Sequence, residues 1–144
     1  MEINKKVFIL IADDDQDDIL MLSELFEQHG LLNSLYIVSD GVELLEFLER
    51  RGKYEKVMVS PRPDLILLDL TMPRIDGYAA LQKIKSNVLL RDIPIIIMTS
   101  STSETDIAKS REYNVDGYLQ KPIVYKSFIE VIELLSDKGI YLNE

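Results

Sequence analysis

The sequence predicts a single α/β domain with a doubly wound sheet: five parallel strands in the order 2-1-3-4-5, each followed by a helix. Three observations point to it. Short apolar runs without alternation recur along the chain, as strands covered on both faces require. Segments with apolar residues at helical spacing separate them. Acids, a hydroxyl and an ammonium follow the runs at their carboxyl ends, where open parallel sheets bind ligands.

The first strand is Val7 to Ala12, and Asp13 and Asp14 follow it. Ile19, Leu22, Leu25 and Phe26 give the first helix its apolar stripe, and Gly30 after His29 reads as its stop. Leu35 to Val38 forms a short second strand, and Asp40 before Gly41 a plain turn residue. Val42, Leu44, Leu45 and Leu48 stripe the second helix. Arg51 to Pro63 contains Gly52, Pro61 and Pro63, lacks periodicity and reads as a surface loop. The third strand, Leu65 to Leu70, presents Asp69 after its most apolar part, and Ala80, Leu81 and Ile84 stripe the third helix. Ile93 to Met98 is the fourth strand, followed by Thr99. Glu104 to Tyr113 reads as a shallowly packed helix, with Ile107, Ala108 and Tyr113 its main apolar residues. Ser101 with Glu104 offers it a capping box, and Thr102 or Ser103 could cap it equally well. Gly117 to Gln120 is the fifth strand, before Lys121, and Phe128, Ile129, Ile132 and Leu135 stripe the last helix. Strand and helix alternate through short connections, so the crossovers are expected to be right-handed.

At 144 residues the chain is expected to be one domain, with a core of about 6–137 and a short tail over 138–144. A formal net charge of −9 disfavours nucleic acid and anionic membrane surfaces as partners. Without cysteine there is no disulfide or thiolate metal site. The run after Lys5 and Lys6 is too short for a signal-peptide core or a membrane span, so a soluble, cytoplasmic protein is expected.

Convergence of Asp13, Asp14 and Asp69 at one sheet edge demands a proton or a cation. Two carboxylates about 4 Å apart repel by roughly 4 kcal/mol at an effective dielectric near 20. Mg2+ suits such a site, because it tolerates one or two carboxylates plus phosphate oxygens and retained waters. An aspartate can itself be the nucleophile in phosphoryl transfer, and Asp69 is the best placed. Lys121 would neutralise the transferring oxygens, and the Thr99 hydroxyl would hydrogen-bond another. Asp17 and Asp18 read as solvated acids favoured by a helix N-terminus. Asp13, Asp15, Asp17 and Glu24 also match calcium-loop positions, but Asp18 occupies the position that needs glycine.

Asp13-Asp14, Leu67-Leu68-Asp69-Leu70-Thr71-Met72-Pro73 with Asp76-Gly77, Met98-Thr99-Ser100 and Lys121-Pro122 together resemble the signature of response-regulator receiver domains. The resemblance covers about Lys6 to Asp137 and implies a flavodoxin-like fold. It implies that Asp69 accepts a phosphoryl group from the phosphohistidine of a sensor histidine kinase. It also implies that Asp14 and Asp69 hold Mg2+ with the Thr71 carbonyl, Asp13 reaching the ion mainly through water, and that Lys121-Pro122 is cis. Thr99 would move toward the phosphoryl group and Tyr118 would swing inward, shifting the face made by the fourth helix, fifth strand and fifth helix. Thr71 and Ser101 stand where such domains tune phosphate lifetime. The Asp13-to-Asp18 run, Gly52-Lys53-Tyr54-Glu55 and Pro61-Arg62-Pro63-Asp64 look like stand-alone receivers paired with phytochrome-type kinases. Ile140, Tyr141 and Leu142 resemble the tail that helps such proteins form homodimers. A shuttle to a histidine phosphotransfer protein is the other role open within the family.

Two functions from other classes compete. A haloacid-dehalogenase-type phosphatase would need a second acid two residues after its nucleophile, and that position is Thr71. A flavin or nucleotide module would need a phosphate cradle after the first strand, where Asp13-Asp14-Asp15 instead repels phosphate.

Overall fold

The computed structural model describes residues 8–28, 35–55, 62–72, 74, 76–100, 108 and 111–133. Strands β1 (Ile9–Ala12), β2 (Leu35–Val38), β3 (Leu65–Asp69), β4 (Ile95–Thr99) and β5 (Gly117–Gln120) form one parallel sheet in the order β2-β1-β3-β4-β5. Period-two alternation divides the apolar runs between its faces. Leu10, Ala12, Ile66, Leu68, Ile95 and Ile97 join Leu44, Leu45 and Leu48 of α2 (Gly41–Glu49) and Ala80, Leu81 and Ile84 of α3 (Gly77–Ser86). On the other face, Ile9, Ile11, Leu65, Leu67, Ile96 and Met98 meet Leu22, Leu25 and Phe26 of α1 (Gln16–Gln28) and Phe128 of the last described helix (Tyr125–Glu133). Phe26 and Phe128 pack edge to face, with centroids 4.9 Å apart. Two covered faces explain why the central strands carry no polar alternation. Each fully buried Leu, Ile or Phe among them contributes on the order of 1.5–3 kcal/mol.

Registry brings the functional ends together. Ala12 pairs with Leu68 and Asp69 with Met98, so Asp13 and Asp69 leave the sheet side by side. Thr99 pairs with Gln120, and the next residue, Lys121, donates its N–H to the Thr99 carbonyl at 2.8 Å. The Lys121–Pro122 peptide is cis.

Several sequence expectations are adjusted. Ile93 and Pro94 precede β4 instead of starting it: the Ile93 N–H turns back to the Leu90 carbonyl at 3.1 Å, and proline has no N–H for a ladder. Leu70 follows β3, yet stays buried. Asp40 is more than a turn residue, because its Oδ1 caps α2 by accepting the Glu43 N–H at 2.8 Å. The stretch read as a surface loop contains a 3-10 turn (Gly52–Tyr54) that buries Tyr54 against Phe47 and Tyr36. The Tyr54 hydroxyl donates to Glu43 Oε2 at 3.0 Å, so the polar end of the ring is satisfied as it packs.

Within the expected helix over 104–113, Ala108 and Arg111 are helical and the chain turns at Glu112 and Tyr113. Its proposed caps at Ser101 to Glu104, Ile107, His29, Gly30, Pro73, Leu135 and the tail residues Ile140, Tyr141 and Leu142 lie outside the described residues, as does the side chain of Ile132. Among the described residues no helix is long and apolar enough to cross a membrane.

Candidate functional site

At the carboxyl edge of β1, β3, β4 and β5, Asp13, Asp69 and Thr99 are the buried polar side chains among the described residues, at 0%, 5% and 8% exposure. An opening of about 490 Å³ beside them is lined by Asp14, Asp15, Asp18, Asp69, Thr71, Ser100, Lys121 and Pro122. Burying acids in this way is costly unless positive charge answers them. Lys121 is that answer. Its Nζ lies 3.0 Å from Asp69 Oδ2, 3.0 Å from Asp13 Oδ2 and 2.6 Å from Asp18 Oδ2. Burial pulls the ammonium toward neutrality, but its bonds to Asp18, Asp69 and Asp13 outweigh that and hold it above the usual lysine range.

Local structure fixes the acids. The Asp13 Oδ1 accepts the Asp15 N–H at 2.9 Å, and Asp15 in turn starts α1 by accepting the N–H groups of Asp17 and Asp18 at 2.9 and 3.4 Å. Asp69 Oδ1 accepts the Thr71 N–H at 3.0 Å, while its Oδ2 accepts from Lys121. Both oxygens of Asp69 are therefore oriented. Asp13 is less well served: the ammonium contact to its Oδ2 is too oblique to be a hydrogen bond, and this buried oxygen accepts none. Burial, helped by the neighbouring Asp69 charge, pushes the Asp13 carboxyl up to about 6 against the Asp15 N–H and Lys121.

That orphaned oxygen is the structural case for a cation. Asp13, Asp14 and Asp69 each direct one carboxylate oxygen into a cluster whose members lie within 4.8 Å of one another. A hard divalent ion with oxygen ligands fits this donor set.

All five strand-end residues named from the sequence meet here: Asp13, Asp14, Asp69, Thr99 and Lys121. Thr71 reaches the rim with its N–H engaged by Asp69. Tyr118 lies nearer the start of β5, half-buried against the α2 and α3 side of the core, with the Arg111 guanidinium 5.9 Å from its ring. Asp18 is not a solvated cap but the shortest contact of Lys121, because the first turn of α1 rotates it over the opening.

The loop after β3 is braced at two points. Arg74, held at φ 66°, directs its guanidinium to both Asp40 oxygens at 2.9 and 2.8 Å. Burial works against the Asp40 charge, but the Glu43 N–H and Arg74 hold its carboxyl below the usual range. At the other point, Gly77 sits so close to β3 that a methyl group there would run into the Asp69 carbonyl and Leu70 Cα. Gly77→Ala is expected to cost about 1–3 kcal/mol through overpacking and to displace the Asp69 backbone. A urea unfolding midpoint unchanged from wild type would contradict this.

Known proteins resemble this chain in sequence and fold. The family model of the response regulator receiver domain matches residues 9–133. The response regulator Rcp1 of Synechocystis sp. is 36% identical over 132 residues, covering 92% of this chain and 88% of its own. The manganese-bound structure of an Rcp1 response regulator is 34% identical with a TM-score of 0.77, over 97% of this chain and 100% of that one. The bacteriophytochrome response regulator RtBRR superposes with a TM-score of 0.83 at 35% identity, over 95% of this chain and 80% of that one. The phosphorylated cyanobacterial phytochrome response regulator RcpA gives 0.80 at 31% identity, over 97% and 100%.

Proposed function

The chain belongs to the response regulator receiver domain family, signalling modules of two-component systems, and from that premise we propose that Asp69 is its phosphoacceptor. Receiver domains take a phosphoryl group from a histidine kinase onto an aspartate, with Mg2+ or Mn2+ at an acidic pocket. The observation that carries the assignment is the grip of Lys121 on Asp69 beside the orphaned Asp13 oxygen. Asp14 and Asp69 would hold the ion with the Thr71 carbonyl, and Asp13 would reach it mainly through water. When bound, Mg2+ neutralises the acids and the charge on the transferring oxygens. A phosphatase reading is disfavoured by Thr71, which offers no second acid.

The transfer follows from the residues. The Thr71 N–H and the Lys121 ammonium fix the plane of the Asp69 carboxylate. An Asp69 oxygen attacks phosphorus, a P–O bond forms, and the P–N bond to the donor histidine breaks. Its electron pair leaves with the imidazole, which is neutral on departure or takes a proton from solvent. Lys121 then pairs with a phosphoryl oxygen, and Thr99 donates its hydroxyl to another. Thr99 moving inward would draw Tyr118 after it and alter the face shared by β5 and the last described helix.

The donor we propose is a phytochrome-type histidine kinase or a histidine phosphotransfer protein, since several relatives are phytochrome response regulators. Homodimer formation is part of the same reading. Incubating the wild-type protein with acetyl phosphate and Mg2+ should add one acid-stable, hydroxylamine-labile phosphoryl group, and a chelator should prevent it. Labelling that is indifferent to Mg2+ or stable to hydroxylamine would contradict the reading.

Protons and Mg2+ compete for Asp13. Its folded-state value near 6 lies above the ordinary 3.8, so in the metal-free protein the folded state binds more protons between these values. The contribution of Asp13 to metal-free stability therefore rises as pH falls through about 6 toward 4, whereas Mg2+ favours the charged carboxylate. The stabilisation gained on adding Mg2+ should shrink as pH falls through about 6. Unfolding midpoints with and without Mg2+ across that range check it.

A further inference from the structure

The third carboxylate on Lys121 is the feature that phosphoacceptor chemistry does not require. Asp18 Oδ2 is 2.6 Å from Nζ, closer than Asp13 or Asp69 at 3.0 Å each. An ammonium has three N–H donors; one goes to Asp69, Asp18 makes the shortest contact, and Asp13 adds an ion pair without a hydrogen bond. A phosphoryl oxygen arriving on Asp69 competes with these carboxylates for the ammonium. Asp13 is fully buried and cannot be rehydrated, and Asp69 carries the incoming group. Asp18 lines the opening with its side chain 18% exposed, so water can replace the lysine there at least cost.

We propose that Asp18 is a positioning residue that competes with the phosphoryl group for Lys121, holding the ammonium in the unphosphorylated protein and yielding it on phosphorylation. The inference rests on Asp69 being the phosphoacceptor. Asp18 is not one of the carboxylates that converge for a cation among the described residues, which are Asp13, Asp14 and Asp69. Its removal therefore acts on the phosphoryl side of the site and spares the metal side.

Titrating Mg2+ alone, and then beryllium fluoride as a phosphoryl mimic at saturating Mg2+, separates the two sides. In Asp18→Asn and Asp18→Ser, Mg2+ affinity should stay within about twofold of wild type. Beryllofluoride affinity should rise roughly three- to tenfold, since neutral hydrogen-bond partners hold an ammonium about half as strongly as a carboxylate does. In a Lys121→Ala background the same Asp18→Asn change should have no effect on the mimic. Unchanged beryllofluoride affinity in both variants, a parallel loss of Mg2+ affinity, or an effect that persists without Lys121 would each overturn the proposal. If the wild type with Mg2+ binds no beryllofluoride, the Asp69 reading fails and takes this inference with it. If it binds and Asp18 is silent, only the inference fails.

Discussion

Asp69→Asn is expected to abolish phosphoryl uptake from acetyl phosphate while leaving the domain folded and no less stable. The amide removes the anionic oxygen that attacks phosphorus, and no neighbouring acid can take its place. Asp13 is fully buried with one oxygen committed to the Asp15 N–H, and Lys121 grips Asp69, Asp13 and Asp18 and not Asp14 among the described ion pairs. Stability should hold because Asp69 belongs to a crowd of like charges. Its removal lessens repulsion with Asp13, while the asparagine oxygen can still accept the Thr71 N–H. Mg2+ affinity should fall, since one of the three clustered acids is lost. Intact mass after labelling and a thermal melt test both halves. A variant that labels like wild type would move the phosphoacceptor elsewhere.

Lys121→Ala is expected to slow phosphorylation by about 100- to 1000-fold, the usual effect of removing one donor aimed at developing charge. It should also destabilise the metal-free protein by about 3 kcal/mol, because truncating one member of a buried ion cluster leaves the others unanswered. Asp13 and Asp69 are almost wholly buried and would lose their cation together. The folded-state lysine value is raised above its ordinary 10.5, so its contribution is fully present below that pH and is lost as pH rises through the folded value. Saturating Mg2+ should narrow the stability gap without restoring the rate, since the ion answers the acids but does not replace the ammonium. Urea unfolding with and without Mg2+, beside initial labelling rates, separates the two roles. Wild-type labelling in Lys121→Ala would reduce the lysine to a structural counter-ion.

What the chain disclosed in advance follows from where its physics is local. Asp13, Asp69, Thr99 and Lys121 each follow an apolar run, and parallel strands in register bring such residues to one edge. The two-faced burial of β1, β3 and β4 was legible for the same reason. Asp18 was not legible, because its contact with Lys121 depends on how α1 is rotated against the sheet. The Arg74 bridge to Asp40 likewise joins two loops through the fold and leaves no periodic trace. Tyr54 was concealed by the Gly and Pro around it, which suggest a surface, although its ring buries while its hydroxyl finds Glu43.

The most direct test of the account is to label the wild-type protein with acetyl phosphate and Mg2+, reduce the acyl phosphate with borohydride and locate the resulting homoserine by peptide mass. The account predicts homoserine at position 69 alone. Homoserine at Asp13, Asp14 or Asp18, with position 69 unmodified, would contradict it.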